Sequence, residues 1–510
     1  MKVAAIYGRL SNQDARLAYA RAEADGFRPC LRNPAYFHEV EIPLERFAMA
    51  YVPRNRKDME EAFNRAGVEV RIIGTSLPSN AQLAKIVFHE SPETATQYHS
   101  DDPLIRDGAW FGQPAFIIGG GPSLKDFDFS RLEGRNVIAI NRAVEFCDPD
   151  IVFSMDTRFI KWIKNGILGD AARAKWKDMR ATLVFANTAR NSTEFPHLPD
   201  RSVVLPVKAG GEFTTTLADG VGHGLNSGFG AVNLAICMGA NPIFLLGFDM
   251  KGGEDGKQAW FHNGYPDQQS GDVYNRFANA FEKAVAGASG LPKIVNLCAD
   301  SGLTCFERSE PEPWLDKTRK RPLFCSYATI DTPYVAELAE LEETLAHFGL
   351  DKFLPILPNR GSWEKNCIQK MDVIAEAMRT HPDRPVVWVD ADARIKQTPH
   401  LLLTMQHEVD FAVHYCHTRR QKNVLNSGTL YFAPTKQARK LMERWEIKNK
   451  ENPDEWDQRN LQAATKFWRG NTYELPVEYC AIHNSIEEKC DRPIIEQFQA
   501  SRRLKKAVSA

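Results

Sequence analysis

Short apolar runs that stop abruptly at glycine, asparagine or aspartate constrain this chain more than any other feature. Pro114-Ala115-Phe116-Ile117-Ile118 runs into Gly119-Gly120-Gly121-Pro122-Ser123-Leu124. Val137 to Ile140 stops at Asn141, and Ile151 to Ser154 is followed by Asp156. Pro242 to Leu246 leads to Gly247-Phe248-Asp249, and Val386 to Val389 runs straight into Asp390. Apolar runs of this length without alternation read as strands buried on both faces. Helical spacing lies between them, at Ser227 to Met238 and Lys365 to Met378 among others. Strands alternating with helices specify parallel α/β sheets, whose ligands sit beyond the carboxyl ends of the strands. The polar residues at those ends are therefore the candidate site residues.

A chain of 510 residues exceeds one ordinary hydrophobic core, so several domains are expected. Residues 1–75 read as a small α/β domain, with strands at Val3–Tyr7, Phe47–Val52 and Val68–Ile73 and helices at Gln13–Ala24 and Lys57–Ala66. Its first turn, Tyr7 to Ser11, lacks a G-x-G-x-x-G pattern and carries no evident chemistry. Residues 76–113 are polar and aperiodic, with Pro78, Pro92 and Pro103, and read as a linker. Residues 114–315 read as a Rossmann-like doubly wound parallel sheet. Residues 320–500 start a further α/β domain, after a proline-rich link at Pro311, Pro313 and Pro322. The expected fold class is multi-domain α/β.

The net charge of −1 gives no electrostatic footprint for nucleic acid or an anionic membrane. No apolar run reaches the length of a membrane span. The N-terminal apolar stretch is too short for a signal peptide and reads as a strand. Ten cysteines include no C-x-x-C pair, which argues against a zinc ribbon or a disulfide framework and makes the cytoplasm the expected location.

Glycines just past a strand let a backbone approach a phosphate, and the following N–H groups can cradle it. Gly119, Gly120, Gly121, Pro122 and Ser123 form such a loop, without the Lys-Ser/Thr of a P-loop. Asn141, Asp156, Ser227, Gly228 and Asp249 fall at the same expected sheet edge. This order resembles a bacterial sialyltransferase family and a related family that includes a hydroxymethylpterin pyrophosphokinase. The pieces that carry it are Ile118 to Leu124, the strand ending in Asn141, Asn226-Ser227-Gly228 with its helix, Ile243 to Asp249, and Ile294 to Cys298 leading to Phe306. The resemblance implies a nucleotide held by the glycine loop, Asn141, Ser227 and Gly228, and a histidine base. His262 is the best placed candidate, and His223 its rival.

Val386-Val387-Trp388-Val389-Asp390-Ala391-Asp392 delivers two carboxylates to the end of a buried strand. At strand spacing, residues i and i+2 face one side. Two such carboxylates can share a hard divalent cation, which neutralises a leaving pyrophosphate. Upstream lies an amphipathic helix, Lys365 to Met378; downstream lie Asn426-Ser427-Gly428 and Asp454-Glu455-Trp456-Asp457-Gln458. This ordered set resembles the GT-A class of nucleotide-diphospho-sugar transferases. The resemblance implies Mn2+ or Mg2+ on Asp390 and Asp392, with His483 as a further ligand. The stretch Ile495 to Gln499 carries Gln where the resemblance leads one to expect a histidine, which leaves that ligand open. The resemblance further implies a sugar and acceptor pocket at Asn426, Ser427, Gly428, Glu455 and Gln458, and an acidic group, Asp457 or Glu455, facing the acceptor as base. His414 and His417 would fall on opposite faces of a strand, and Arg419, Arg420 and Lys422 read as a phosphate contact or an exposed basic loop.

The expected function is a glycosyltransferase moving sugar from a nucleotide-activated donor to a glycan, a protein or a modified nucleobase. The alternative is a pyrophosphokinase-like or nucleotide-binding middle module coupled to a sugar-transferase module.

Overall fold

The computed structural model describes residues 102–500, apart from 103, 188–201, 209, 406, 417–422 and 486–488, together with four strands nearer the N-terminus. The chain divides into two compact units. One contains residues 319–510 with 1–34 and 50–53, and the other residues 54–318 with 35–49. The N-terminal strands are β1 (Val3–Tyr7), β2 (Arg28–Arg32), β3 (Met49–Pro53) and β4 (Glu69–Ile73), and β1 pairs with β2 in parallel. Arg-Pro-Cys-Leu-Arg of β2 has no apolar run to signal it. The helices expected at Gln13–Ala24 and Lys57–Ala66 lie outside the described residues.

In the unit ending at Thr318, nine strands form one sheet. They are β5 (Ala115–Ile118), β6 (Asn136–Ile140), β7 (Ile151–Ser154), β8 (Thr182–Asn187), β9 (Ser202–Lys208), β10 (Val221–Gly222), β11 (Ile243–Leu246), β12 (Ile294–Asn296) and β13 (Glu307–Arg308). Their order is β10-β9-β8-β7-β6-β5-β11-β12-β13, every pair parallel. Strand β5 shows why the run is unalternating. Ala115 and Ile117 enter one core and Phe116 and Ile118 the other, so both faces of the strand are covered. The chain winds outward from β5 on one side and from β11 on the other. The topological switch point, where such sheets bind ligands, thus lies between the loops after β5 and β11.

The stretch read as a linker behaves differently where it is described. Ile105 and Trp110 are buried in the core. The N–H groups of Gly108, Trp110 and Gly112 donate to the carbonyls of Cys237, Met238 and Gly239, capping the end of the helix Ser227–Cys237. Asp107 accepts from Leu217 N (2.8 Å) and Thr216 Oγ1 (2.7 Å). Its polar composition serves orphaned helix-end and turn groups rather than solvent.

The unit containing residues 319–510 holds β14 (Leu323–Cys325), β15 (Ala328–Thr329), β16 (Lys352–Phe353), β17 (Ile356–Leu357), β18 (Val386–Val389), β19 (Ala393–Ile395), β20 (Phe411–Cys416), β21 (Val424–Phe432), β22 (Thr472–Glu474), β23 (Ala481–Ile482) and β24 (Ile495–Gln497). Six of them make a mixed sheet, β16-β14-β18-β21-β20-β22. Strand β18 runs parallel to β14 and antiparallel to β21. Two small sheets, β15-β17 and β19-β24-β23, belong to the same unit. The core packs Ile374 and Ala377 of the helix Trp363–Thr380 and Leu441 and Trp445 of the helix Lys436–Glu451 against Trp388 and Leu430.

Asp351, just before β16, ties this sheet to the chain entering it. It pairs with Arg321 (3.2 Å) and with Arg384. Burial works against its charge, but the two guanidiniums outweigh this and hold its carboxyl below the usual aspartate range. A depressed folded pKa gives stability that is full above the unfolded value and is lost as pH falls through the folded one. Asp351→Asn should therefore cost about 3 kcal/mol in urea melts at pH 7, and the gap from wild type should narrow below about pH 4.

Candidate functional site

Each unit carries a cavity at the carboxyl ends of its strands. In the unit containing residues 319–510 it has a volume of about 570 Å3, and Asp390, Ala391 and Asp392, beyond β18, form one wall. The strand holds Asp390 in place: its N–H donates to Gly428 O on β21 (2.9 Å). Its Oδ1 accepts from the indole Nε1 of Trp388 (2.8 Å).

Lys370 lies on the apolar face of the helix Trp363–Thr380, and the residue is only 7% exposed. Its Nζ is 3.0 Å from Asp390 Oδ1 and 3.0 Å from Asp457 Oδ2. It also donates to Ser427 Oγ (3.1 Å) and Ser427 O (3.2 Å). Burial disfavours the ammonium, and the carboxylates of Asp390 and Asp457 more than compensate, so its pKa stands above the ordinary lysine value. One cation thus gathers the end of β18, the Asn-Ser-Gly stretch of β21 and the start of the helix Asp457–Thr465. Ser427 Oγ donates to Asp457 Oδ2 (3.3 Å), and Ser427 N to Gln458 Oε1 (3.3 Å).

Asp392 is held by the last described residues, with its Oδ2 accepting from Ala500 N (2.6 Å). Burial and then the charge of Asp390 push its pKa up to about 6. Each of the two aspartates keeps one oxygen to which no other described residue donates. Two carboxylates of like charge, each with a hard oxygen available at one cavity wall, fit a divalent cation shared with a ligand. Among the described residues, no group of three or more His, Cys, Asp or Glu side chains is arranged to hold a metal by itself. His483 is directed elsewhere: its Nδ1 lies 2.7 Å from Glu496 Oε1, its ring stacks on Phe498, and it does not line the cavity. Gln499 lines it instead. Glu455 also stands outside, its oxygens on Arg459 (3.2 Å). Asn426 caps its own strand through Gly428 N (2.9 Å), and Gly428 contributes its carbonyl to Asp390. His414 donates its Nδ1–H to Leu475 O (2.9 Å); His417, Arg419, Arg420 and Lys422 lie outside the described residues.

In the other unit a cavity of about 430 Å3 occupies the switch point. Gly119, Gly120, Gly121, Asn141, Asp156, Ser227, Gly228 and Asp249 all line it. The glycine loop is not an open cradle, however. Ser123 N–H and Oγ–H donate to Asp249 Oδ1 (2.9 Å) and Oδ2 (2.7 Å). Gly119 N and Gly121 N donate to the carbonyls of Leu246 and Gly247. A Cβ on Gly121 would sit 1.9 Å from Asp249 Oδ2, so the glycine serves close packing against the β11 loop. Pro122 and Ser123 start a short turn behind the cavity. Burial raises the Asp249 pKa despite the Ser123 bonds.

The donors at this site come from the helix Ser227–Cys237. Asn226 caps its third N–H through Phe229 N (2.9 Å), and the first-turn residues Ser227 and Gly228 face the cavity. Opposite stands Asn141, at a left-handed φ of 50°, whose buried side-chain oxygen has no hydrogen-bond partner among the described residues. Asp156 caps the helix Thr157–Lys164 and pairs with Arg158 (2.9 Å).

His262 is not placed as a base for this cavity. It does not line it, its Nδ1 accepts from Gly264 N (3.0 Å), and burial and then Arg142 push its pKa down to about 3. His223 does line it, but its Nδ1 accepts from Leu225 N (3.3 Å), so the neutral ring carries its proton on Nε2 and is a donor. Lys370, Tyr327, Asn366 and Trp456 in one cavity, and Arg158, Trp162, Gln258 and Tyr265 in the other, escape the sequence reading. Lys370 alone had a signal, a charge in register with Ile374 and Ala377 on a buried helix face.

Residues 381–484 match the family model of the nucleotide-diphospho-sugar transferases. That stretch holds Asp390, Asp392, Ser427 and Asp457, whereas Lys370 and Gln499 lie outside it. Two similar solved structures are glycosyltransferases by description. One is involved in the glycosylation of the major capsid of PBCV-1, with 12% identity, a TM-score of 0.30, and 37% of this chain and 100% of that one covered. The other is the MAf glycosyltransferase from Magnetospirillum magneticum AMB-1, with 12% identity and a TM-score of 0.29. There 66% of this chain is covered, and the chain spans 63% of that protein's length. Likeness at that level does not bear on activity. No curated protein matches the chain. No helix among the described residues is long and apolar enough to cross a membrane.

Lys370→Met removes the only cation that Asp457 contacts among the described residues and leaves two carboxylates facing each other. Breaking a buried pair in this way should cost about 3–5 kcal/mol in urea unfolding at pH 7. Lys448→Met, at an exposed pair with Glu451, should cost less than about 1 kcal/mol.

Proposed function

We propose that the unit containing residues 319–510 is a glycosyltransferase that takes its sugar from a nucleotide-diphosphate donor. The observation that carries this is the meeting of Asp390, Asp392, Ser427 and Asp457, from a stretch matching the nucleotide-diphospho-sugar transferases, with Lys370 at one cavity. Asp390 and Asp392 would hold Mn2+ or Mg2+. Such a cation supplies charge neutralisation to a departing diphosphate. Lys370 keeps Asp390 and Asp457 at fixed positions, so the site is preorganised before the donor arrives. Ser427 and Gln458 line the wall between Asp390 and Asp457 and can hydrogen-bond sugar hydroxyls. Asp457, paired with Lys370, can accept from an acceptor hydroxyl and orient it. Trp456, 47% exposed beside it, offers an aromatic face to a sugar ring.

For the switch-point cavity of the other unit we assign a second nucleotide-activated sugar. Helix N–H groups at Ser227 and Gly228 suit one phosphate. A triphosphate, as a pyrophosphokinase would need, is disfavoured there. The Asp249 carboxylate already takes the Ser123 N–H, and Asp156, Asp249 and Asp267 line the wall against the single cation Arg158.

A panel of nucleotide-sugars should show release of a nucleoside diphosphate that depends on manganese. Asp390→Ala should lower that release by about 100-fold or more per folded molecule, and loss of one Lys370 partner should also lower its melting temperature. Release that persists in Asp390→Ala at the wild-type rate would refute the assignment.

A further inference from the structure

A larger cavity, of about 740 Å3, opens beside the switch-point cavity in the same unit. His223 and Leu225 line both and form the shared wall. The helix Val273–Gly287 also serves both. Its Tyr274 and Phe277 line the switch-point cavity, and its Arg276, Asn279 and Lys283 line the larger one. Arg276 and Lys283 are two turns apart on one helix face. Both are exposed, and neither has a carboxylate partner among the described residues.

The rest of the groove is lined by Val207, Leu225 and Ala280 and by three glycines. Gly210 and Gly211 lie at left-handed φ values of 109° and 72°, and a Cβ on either would meet nothing within 4 Å. Leu225 stands at the lip, 57% exposed and at a φ of 65° that a leucine seldom adopts. Backbone held in that region clusters at ligand sites.

The two cavities are sorted by charge. Asp156, Asp249 and Asp267 line the switch-point cavity, and among the described residues no carboxylate lines the larger one. What the larger one offers is donors: a guanidinium, an ammonium, the Asn279 amide and the Nε2–H of His223. That set suits an anion, and the volume suits a molecule of sugar size or larger.

We propose that this groove is the acceptor site of the unit. Its acceptor carries a carboxylate or phosphate group that Arg276 and Lys283 hold, and the other end of that acceptor reaches His223 at the wall of the donor cavity. The acceptor role rests on the assignment of a nucleotide-activated sugar to the switch-point cavity; the binding of an anionic sugar does not.

Calorimetric titration of the full chain, without nucleotide, tests it with glucuronate, glucose 6-phosphate, glucose and inorganic phosphate as probes. At least one anionic sugar should bind about tenfold more tightly than glucose and than inorganic phosphate. Glucuronate alone would assign a carboxylate acceptor, and glucose 6-phosphate alone a phosphorylated one. Arg276→Ala and Lys283→Ala should each weaken that binding about tenfold while leaving thermal stabilisation by nucleotides unchanged. Both side chains are exposed and neither pairs with a carboxylate among the described residues, so both variants should fold. Anionic sugars that bind no better than glucose, inorganic phosphate that binds as well as either sugar, or a double variant that binds unchanged would each overturn the proposal. Nucleotide stabilisation, read separately, reports on the donor cavity.

Discussion

The Lys370 ammonium, 3.0 Å from Asp390 and from Asp457, joins the paired strands β18 and β21 to the helix Asp457–Thr465, which no backbone ladder reaches. Strand β18 supplies the first carboxylate, the helix Asp457–Thr465 the second, and Ser427 of β21 bridges between them. Removing a charge from water costs several kcal/mol, which only good geometry and further hydrogen bonds offset. Lys370 has four such contacts, two charged and two neutral. The same cation occupies one oxygen of Asp390, and no other described residue donates to the second. Stability and the proposed donor site therefore depend on one side chain.

The unit ending at Thr318 reaches a binding geometry by another route. Its sheet is parallel throughout, so the reversal of winding between β5 and β11 opens a crevice without any special residue. Asp249 then closes the glycine loop from within by taking the N–H and hydroxyl of Ser123. That shifts the anion-binding duty from the loop to the first turn of the helix Ser227–Cys237. The glycines remain necessary, but for contact between two loops.

Strand ends were legible in the sequence because burial on both faces leaves a local trace, an apolar run with a polar stop. Asp390, Asp392 and Asp249 could be placed from that trace alone. Lys370 could not, because its partners lie on other elements and a lysine in an amphipathic helix ordinarily faces solvent. Histidine identity likewise says nothing of burial: His262 has its ring among Trp260, Phe261 and Tyr265. Residues after Asp102 misled for a related reason. Polar, proline-containing sequence looks like a linker, yet here it caps the buried helix whose carbonyls would otherwise be orphaned.

The central claim is that Asp390 and Asp392 act as a pair on a divalent cation bound to a diphosphate. A manganese titration followed by electron paramagnetic resonance, with and without a panel of nucleoside diphosphates, measures this directly. The account predicts manganese uptake by the wild type when a diphosphate is present, and its loss in the Asp390→Asn, Asp392→Asn double variant. Equal uptake in the double variant, or none by the wild type with any nucleoside diphosphate, would contradict it.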